Sequence, residues 1–215
     1  MVKRGTRRDL SWRRALYALL IFVGAALGFT VLGMVLGPSQ AQVGGVRAED
    51  SIAPHLAALA GFGVALGLGG MLIYGKRGLP LVFLTPALTV SLDIDHLPVY
   101  LGYSEPIRPA HSIVFIAFVL ILLAVTIRAP EIELVVASSF LGHMAVDTGL
   151  FAPWSPINFD YVQLDQYRLL LGIGALLCAL AAGVVLRLEQ PSPTSAARLS
   201  SNPVVPSRSI DEADS

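Results

Sequence analysis

Five side chains able to ligate a metal fall in two short strings, Asp93-Ile94-Asp95-His96 and His143-Met144-Ala145-Val146-Asp147. The first string packs two carboxylates and an imidazole into four residues. In the second, His and Asp lie four apart inside an apolar run, a spacing that puts both on one face of a helix. Imidazole nitrogen mixed with carboxylate oxygen is the donor set of a divalent metal site. Hydrocarbon penalises an Asp at the centre of a spanning helix by about 3 kcal/mol, so acids and histidines placed there need partners and mark a functional site by default. Each string alone also has a plainer reading. The first is equally a polar helix end stopped by Leu97-Pro98, and the second an interhelical hydrogen bond.

The elements that must position these residues are membrane helices. The chain has 215 residues, of which 54% are hydrophobic and only 14% charged, well below the roughly 25% charge of a soluble domain. An all-α, polytopic membrane protein is therefore expected. Six apolar segments stand out, at about 15–36, 56–74, 79–92, 112–127, 132–151 and 169–188. The second is rich in glycine (Gly61, Gly63, Gly67, Gly69, Gly70), and small residues let helices approach closely in lipid. The third is short for a crossing and contains Pro86, a kinking residue. Three regions follow: an N-terminal segment with its linker (1–52), a core carrying the polar strings (53–188), and a Pro- and Ser-rich tail (189–215) too polar to fold on its own.

Charge sets the orientation. With the amino terminus in the cytoplasm and the six segments alternating, the inner side holds Lys3, Arg4, Arg7, Arg8, Arg13, Arg14, Lys76, Arg77, Arg128, Arg187, Arg198 and Arg208. Only Arg47, Arg108 and Arg168 lie outside. This asymmetry satisfies the positive-inside rule and puts both termini in the cytoplasm. The same assignment brings all four histidines, His55, His96, His111 and His143, to the outer face together with Asp93, Asp95 and Asp147. The basic amino terminus abuts an apolar segment and reads as a membrane flank, so no nucleic-acid partner is expected. A cleaved leader ending near Pro38-Ser39-Gln40-Ala41 is the rival reading of the first segment, whose apolar stretch is longer than usual for that role. The single cysteine, Cys178, can form no internal disulfide.

Asp93-Ile94-Asp95-His96, then Arg108-Pro109-Ala110-His111-Ser112, Gly142-His143 with Asp147, and Pro153-Trp154-Ser155-Pro156 together resemble a bacterial and archaeal family of membrane-bound metal-dependent hydrolases. That family is inner-membrane-associated and has also been described as LexA-binding. Pro54-His55-Leu56 is similar to its opening Thr-His string, and the resemblance covers about residues 53–188. Three positions depart from the pattern. Ser91-Leu92 stands in place of Leu-Pro, Ile107 in place of the first His of a His-Arg string, and Gly142 in place of Ser. The loss at Ile107 removes one ligand or proton carrier.

Taken with the convergence of the polar residues, the resemblance implies a hydrolase at the outer face of the inner membrane, acting on a lipid or lipid-linked ester or phosphoester. Asp93, Asp95, His111, His143 and Asp147 are the expected ligands, His96 is a ligand or base, and Arg108 stabilises an anionic group. Zinc is the first expectation for such a donor set, with manganese and magnesium open. Two other readings compete. One is a structural or transport metal site without catalysis. The other is a metal-free lipid phosphatase with a His nucleophile, which His111-Ser112 and His143-x-x-x-Asp147 resemble in part, although a Lys partner and a Pro-Ser-Gly-His string are missing.

Overall fold

A computed structural model describes residues 12–36, 52–100, 109–146 and 164–188. These residues form six helices and a single-turn seventh, with no strand among them: α1 (Trp12–Leu36), α2 (Ile52–Tyr74), α3 (Leu79–Ser91), α4 (Leu97–Tyr100), α5 (Ile113–Thr126), α6 (Pro130–Val146) and α7 (Leu164–Leu188). Each of the six apolar segments falls on one of the six helices longer than a single turn; the last residues of the fifth, 147–151, lie outside the described residues. Three contain windows long and apolar enough to cross a membrane, Trp12–Val35, Leu56–Ile73 and Gln166–Leu188. At about 1.5 Å per residue they extend roughly 27–36 Å, against a hydrocarbon thickness of about 30 Å. Helices α3, α5 and α6 are shorter, at 13, 14 and 17 residues.

Local chemistry sets the helix ends. Pro80 sits in the first turn of α3, where its missing N–H costs nothing. Ser112 caps α5: its backbone is extended (φ −125°, ψ 158°) and its Oγ accepts a 3.1 Å hydrogen bond from the Phe115 amide. Arg128 adopts a left-handed conformation (φ 54°) and its amide donates back to the Leu123 carbonyl at 3.1 Å. That turn ends α5 and lets Pro130 start α6.

Glycines govern the packing of α2. A Cβ at Gly63 would lie 2.5 Å from the Pro86 Cα, and one at Gly67 would lie 2.7 Å from the Val82 Cα. Gly63 and Gly67 are one turn apart, so this face lets the backbones of α2 and α3 meet directly. The kink-prone Pro86 is thereby covered by backbone, with no side chain between. A further face of α2 meets α7, where a Cβ at Gly183 would sit 2.7 Å from the Gly70 carbonyl oxygen. Helix α6 lies among α2, α3, α5 and α7. Its Ser138 hydroxyl donates to the Ala175 carbonyl on α7 at 2.7 Å. The main core, including Leu88, Leu92, Phe115, Val119, Phe140 and Met144, is fully or almost fully buried.

Candidate metal centre

The centre forms where α3 changes its winding. After Ser91 the backbone tightens into a 3-10 helix over Leu92–His96. Residues three apart eclipse one another in that geometry, so Asp93 and His96 stack, with His96 Nε2 3.6 Å from Asp93 Oδ1. His111 closes a short 3-10 turn, Pro109–His111, directly ahead of the Ser112 cap. The cap fixes the entry into α5 and with it the place of the imidazole, which is completely buried. His143 comes from the last turn of α6 and is also completely buried.

The two nitrogens of His143 face different chemistry. Nδ1 lies 2.7 Å from the Thr89 carbonyl oxygen. A carbonyl only accepts, so Nδ1 carries the hydrogen and a neutral ring keeps its lone pair on Nε2. Thr89 belongs to the last turn of α3, whose final carbonyls have no partner within the helix. One helix end therefore orients His143 through a carbonyl and presents Asp93 a turn later. His143 Nε2 points at His111 Nε2 (3.0 Å) and at Asp93 Oδ1 (3.5 Å).

These three side chains fit a metal ion. One ligand atom from each of Asp93, His111 and His143 lies within 4.8 Å of the other two. Ligand atoms about 2.0–2.2 Å from one tetrahedral zinc are about 3.3–3.6 Å apart; the 3.5 Å separation falls in that range and the 3.0 Å separation lies a few tenths of an ångström below it. The Nδ1–H to carbonyl bond is also the usual outer-shell support of a metal-bound histidine. An ion would offset the cost of enclosing the Asp93 carboxylate. Without one, the 3.0 Å contact serves as an N–H to N hydrogen bond in which His111 Nε2 donates to His143 Nε2.

Of the residues expected to ligate, the structure thus brings together Asp93, His111 and His143. His96 is 8% exposed and reaches Asp93, but lies outside the three-atom cluster. Its ring centroid is 6.4 Å from that of His111. The backbone of Asp95 belongs to the 3-10 turn, and its side chain lies outside the described residues, as does that of His55. Arg108 and Asp147 lie outside them altogether. The contribution missed from sequence is the Thr89 carbonyl. Any residue supplies a carbonyl, so the only signal was that a helix end would lie beside His143.

No family model, curated protein or solved structure matches the chain.

Proposed function

We propose that the chain is a multi-pass protein of the inner membrane that holds one divalent ion, zinc first, between Asp93, His111 and His143, and that it is a metal-dependent hydrolase of lipid or lipid-linked esters or phosphoesters at the outer face. The observation that carries this reading is that one ligand atom from each of Asp93, His111 and His143 lies within 4.8 Å of the other two. Two imidazoles and one carboxylate leave a fourth position open in tetrahedral coordination, as catalytic zinc sites do. Asp93, His111 and His143 would hold the ion, whose chemistry there would be to acidify a water and polarise the scissile group. Asp93 Oδ1 lies beside two imidazole nitrogens, His143 Nε2 at 3.5 Å and His96 Nε2 at 3.6 Å. His96, at the rim of the cluster, is placed to take and return a proton. Arg108 and the further acids Asp95 and Asp147 enter this reading on the sequence pattern.

The test is metal analysis of the purified protein, followed by turnover assays on a panel of lipid phosphoesters and esters. Wild type is expected to carry about one ion per chain, and Asp93→Asn almost none. Equal metal in both would overturn the reading. Asp147→Asn in the same assay decides whether that acid is a ligand or a hydrogen-bond partner. A neutral amide is a poor partner for a divalent ion but keeps much of a hydrogen bond.

One observation favours a second reading, a structural metal site without catalysis: both imidazoles of the cluster are fully buried. Ile107, where the resemblance has a His, points the same way. Retained metal with no turnover on any substrate, and a loss of thermal stability with chelator, would select it. The His-nucleophile phosphatase is the weaker alternative, because His143 Nε2 faces Asp93 and His111. Vanadate inhibition without metal dependence would revive it.

A further inference from the structure

The cluster's two histidines come from separate elements, the 3-10 turn that leads into α5 and the last turn of α6, and one aromatic side chain joins α5 to α6. Phe115 lies four residues after His111, and its amide is the donor to the Ser112 cap. Its ring, completely buried, packs against Phe140 with centroids 6.2 Å apart. Phe140 precedes His143 by three residues, so it shares that face of α6. From the other side, α1 presses two rings onto Phe115 edge-on: Phe22 at 5.3 Å and Phe29 at 5.2 Å. Phe22 and Phe29 are seven apart and share one stripe of α1. That helix also packs against the two 3-10 turns that carry Asp93 and His111.

We infer that α1 sets the metal affinity of the centre by clamping Phe115, so that the ring chain Phe22/Phe29–Phe115–Phe140 fixes the separation of His111 and His143. This rests on the metal reading above and adds a role for a helix that contributes no ligand. The physical basis is geometric. The two imidazole nitrogens are 3.0 Å apart. An ion is sensitive to shifts of a few tenths of an ångström in that gap. Aromatic rings in edge-to-face contact have a preferred mutual geometry that an aliphatic replacement lacks. Phe115 and its α1 partners are positioning residues, since none of them reaches the ion.

The experiment is competitive titration of zinc against a chromophoric chelator on the full chain in detergent, with the visible ligand-field spectrum of the cobalt-loaded protein recorded beside it. Phe29→Leu is expected to weaken zinc binding roughly tenfold, the scale of an outer-shell loss, and to change the intensity of the cobalt bands. Phe29→Trp, which keeps an aromatic face on Phe115, should restore both. Phe83→Leu is the control. It removes another aromatic contact between α1 and its neighbours, the tilted Trp12–Phe83 pair at 5.7 Å, at the opposite end of α1, and should leave affinity and spectrum unchanged. If Phe115→Leu does not fold, the two α1 variants Phe22→Leu and Phe29→Leu decide the matter alone. Zinc affinity in Phe29→Leu equal to wild type, or equal losses in Phe29→Leu and Phe83→Leu, would overturn the clamp while leaving the metal site standing. Absence of zinc binding in wild type would instead remove the metal reading itself.

Discussion

His143 is oriented by a backbone carbonyl and aimed at a carboxylate, and the two contacts make opposite predictions for substitution. Thr89→Ala keeps the carbonyl that receives Nδ1–H and loses only a hydroxyl that is already bonded to the Thr85 carbonyl at 2.8 Å. Its metal affinity should match wild type, with stability lower by about 1 kcal/mol at most. Asp93→Asn removes the anion that faces both His143 and His96. Its affinity should fall by about a hundredfold or more, since losing even an outer-shell partner costs 10–100-fold. Titration of zinc against a chelator reads both. A large loss in Thr89→Ala would mean that the hydroxyl, and not the carbonyl, holds the ring. At this scale the sequence exposed side chains and concealed geometry. Asp93 and His143 stood out because an acid and an imidazole are costly in an apolar run. Which of Asp93 and His96 turns toward the two imidazoles depends on the 3-10 winding of Leu92–His96, and hydropathy says nothing about winding.

The helices were legible because each apolar run is bounded by polar residues, prolines or basic turns. Their partners were not. The glycines of α2 announced close packing, but only the structure assigns Gly63 and Gly67 to the backbone of α3, and Gly70 to α7. Gly61 lies on the same helix with nothing within 4 Å of its notional Cβ. This difference makes a matched pair. Gly61→Ala gains helix propensity of up to about 1 kcal/mol and meets no obstacle, so its thermal unfolding midpoint in detergent should equal or exceed that of wild type. Gly63→Ala gains the same propensity but drives a methyl group to 2.5 Å from the Pro86 Cα. Overpacking of this kind costs about 1–3 kcal/mol, so its midpoint should fall below wild type. Because α3 ends in the turn that carries Asp93, Gly63→Ala should also weaken metal binding. A Gly63→Ala protein as stable as Gly61→Ala would show that α2 and α3 are not in backbone contact.

At the scale of the molecule, the described basic residues and the candidate ligands separate to opposite ends of the bundle, with Arg168 near the start of α7 as the exception. The start of α1 meets the start of α3 through Trp12 and Phe83, and the far end of α2 meets the far end of α7 through Gly70 and Gly183. Arg13, Arg14, Lys76, Arg77 and Arg187 lie at these termini, and Arg128 lies in the turn between α5 and α6. Asp93, His111 and His143 meet at the other end, formed by the last turns of α3 and α6 and the entry to α5. The short helix α3 gains reach from its continuation: 13 residues of α-helix and five of 3-10 helix extend about 30 Å together, the thickness of a hydrocarbon core. If α3 crosses, as proposed, Asp93 and His96 would come to the far interface. This arrangement, combined with the positive-inside rule, leads to the prediction of six crossings with both termini in the cytoplasm. In a background with Cys178→Ala, a cysteine at Ser104 should react with a membrane-impermeant maleimide in intact cells. A cysteine at Arg77 should react only after the membrane is opened. The reverse pattern would place the candidate metal centre on the cytoplasmic side, and equal labelling of both sites from outside would show that α3 does not cross.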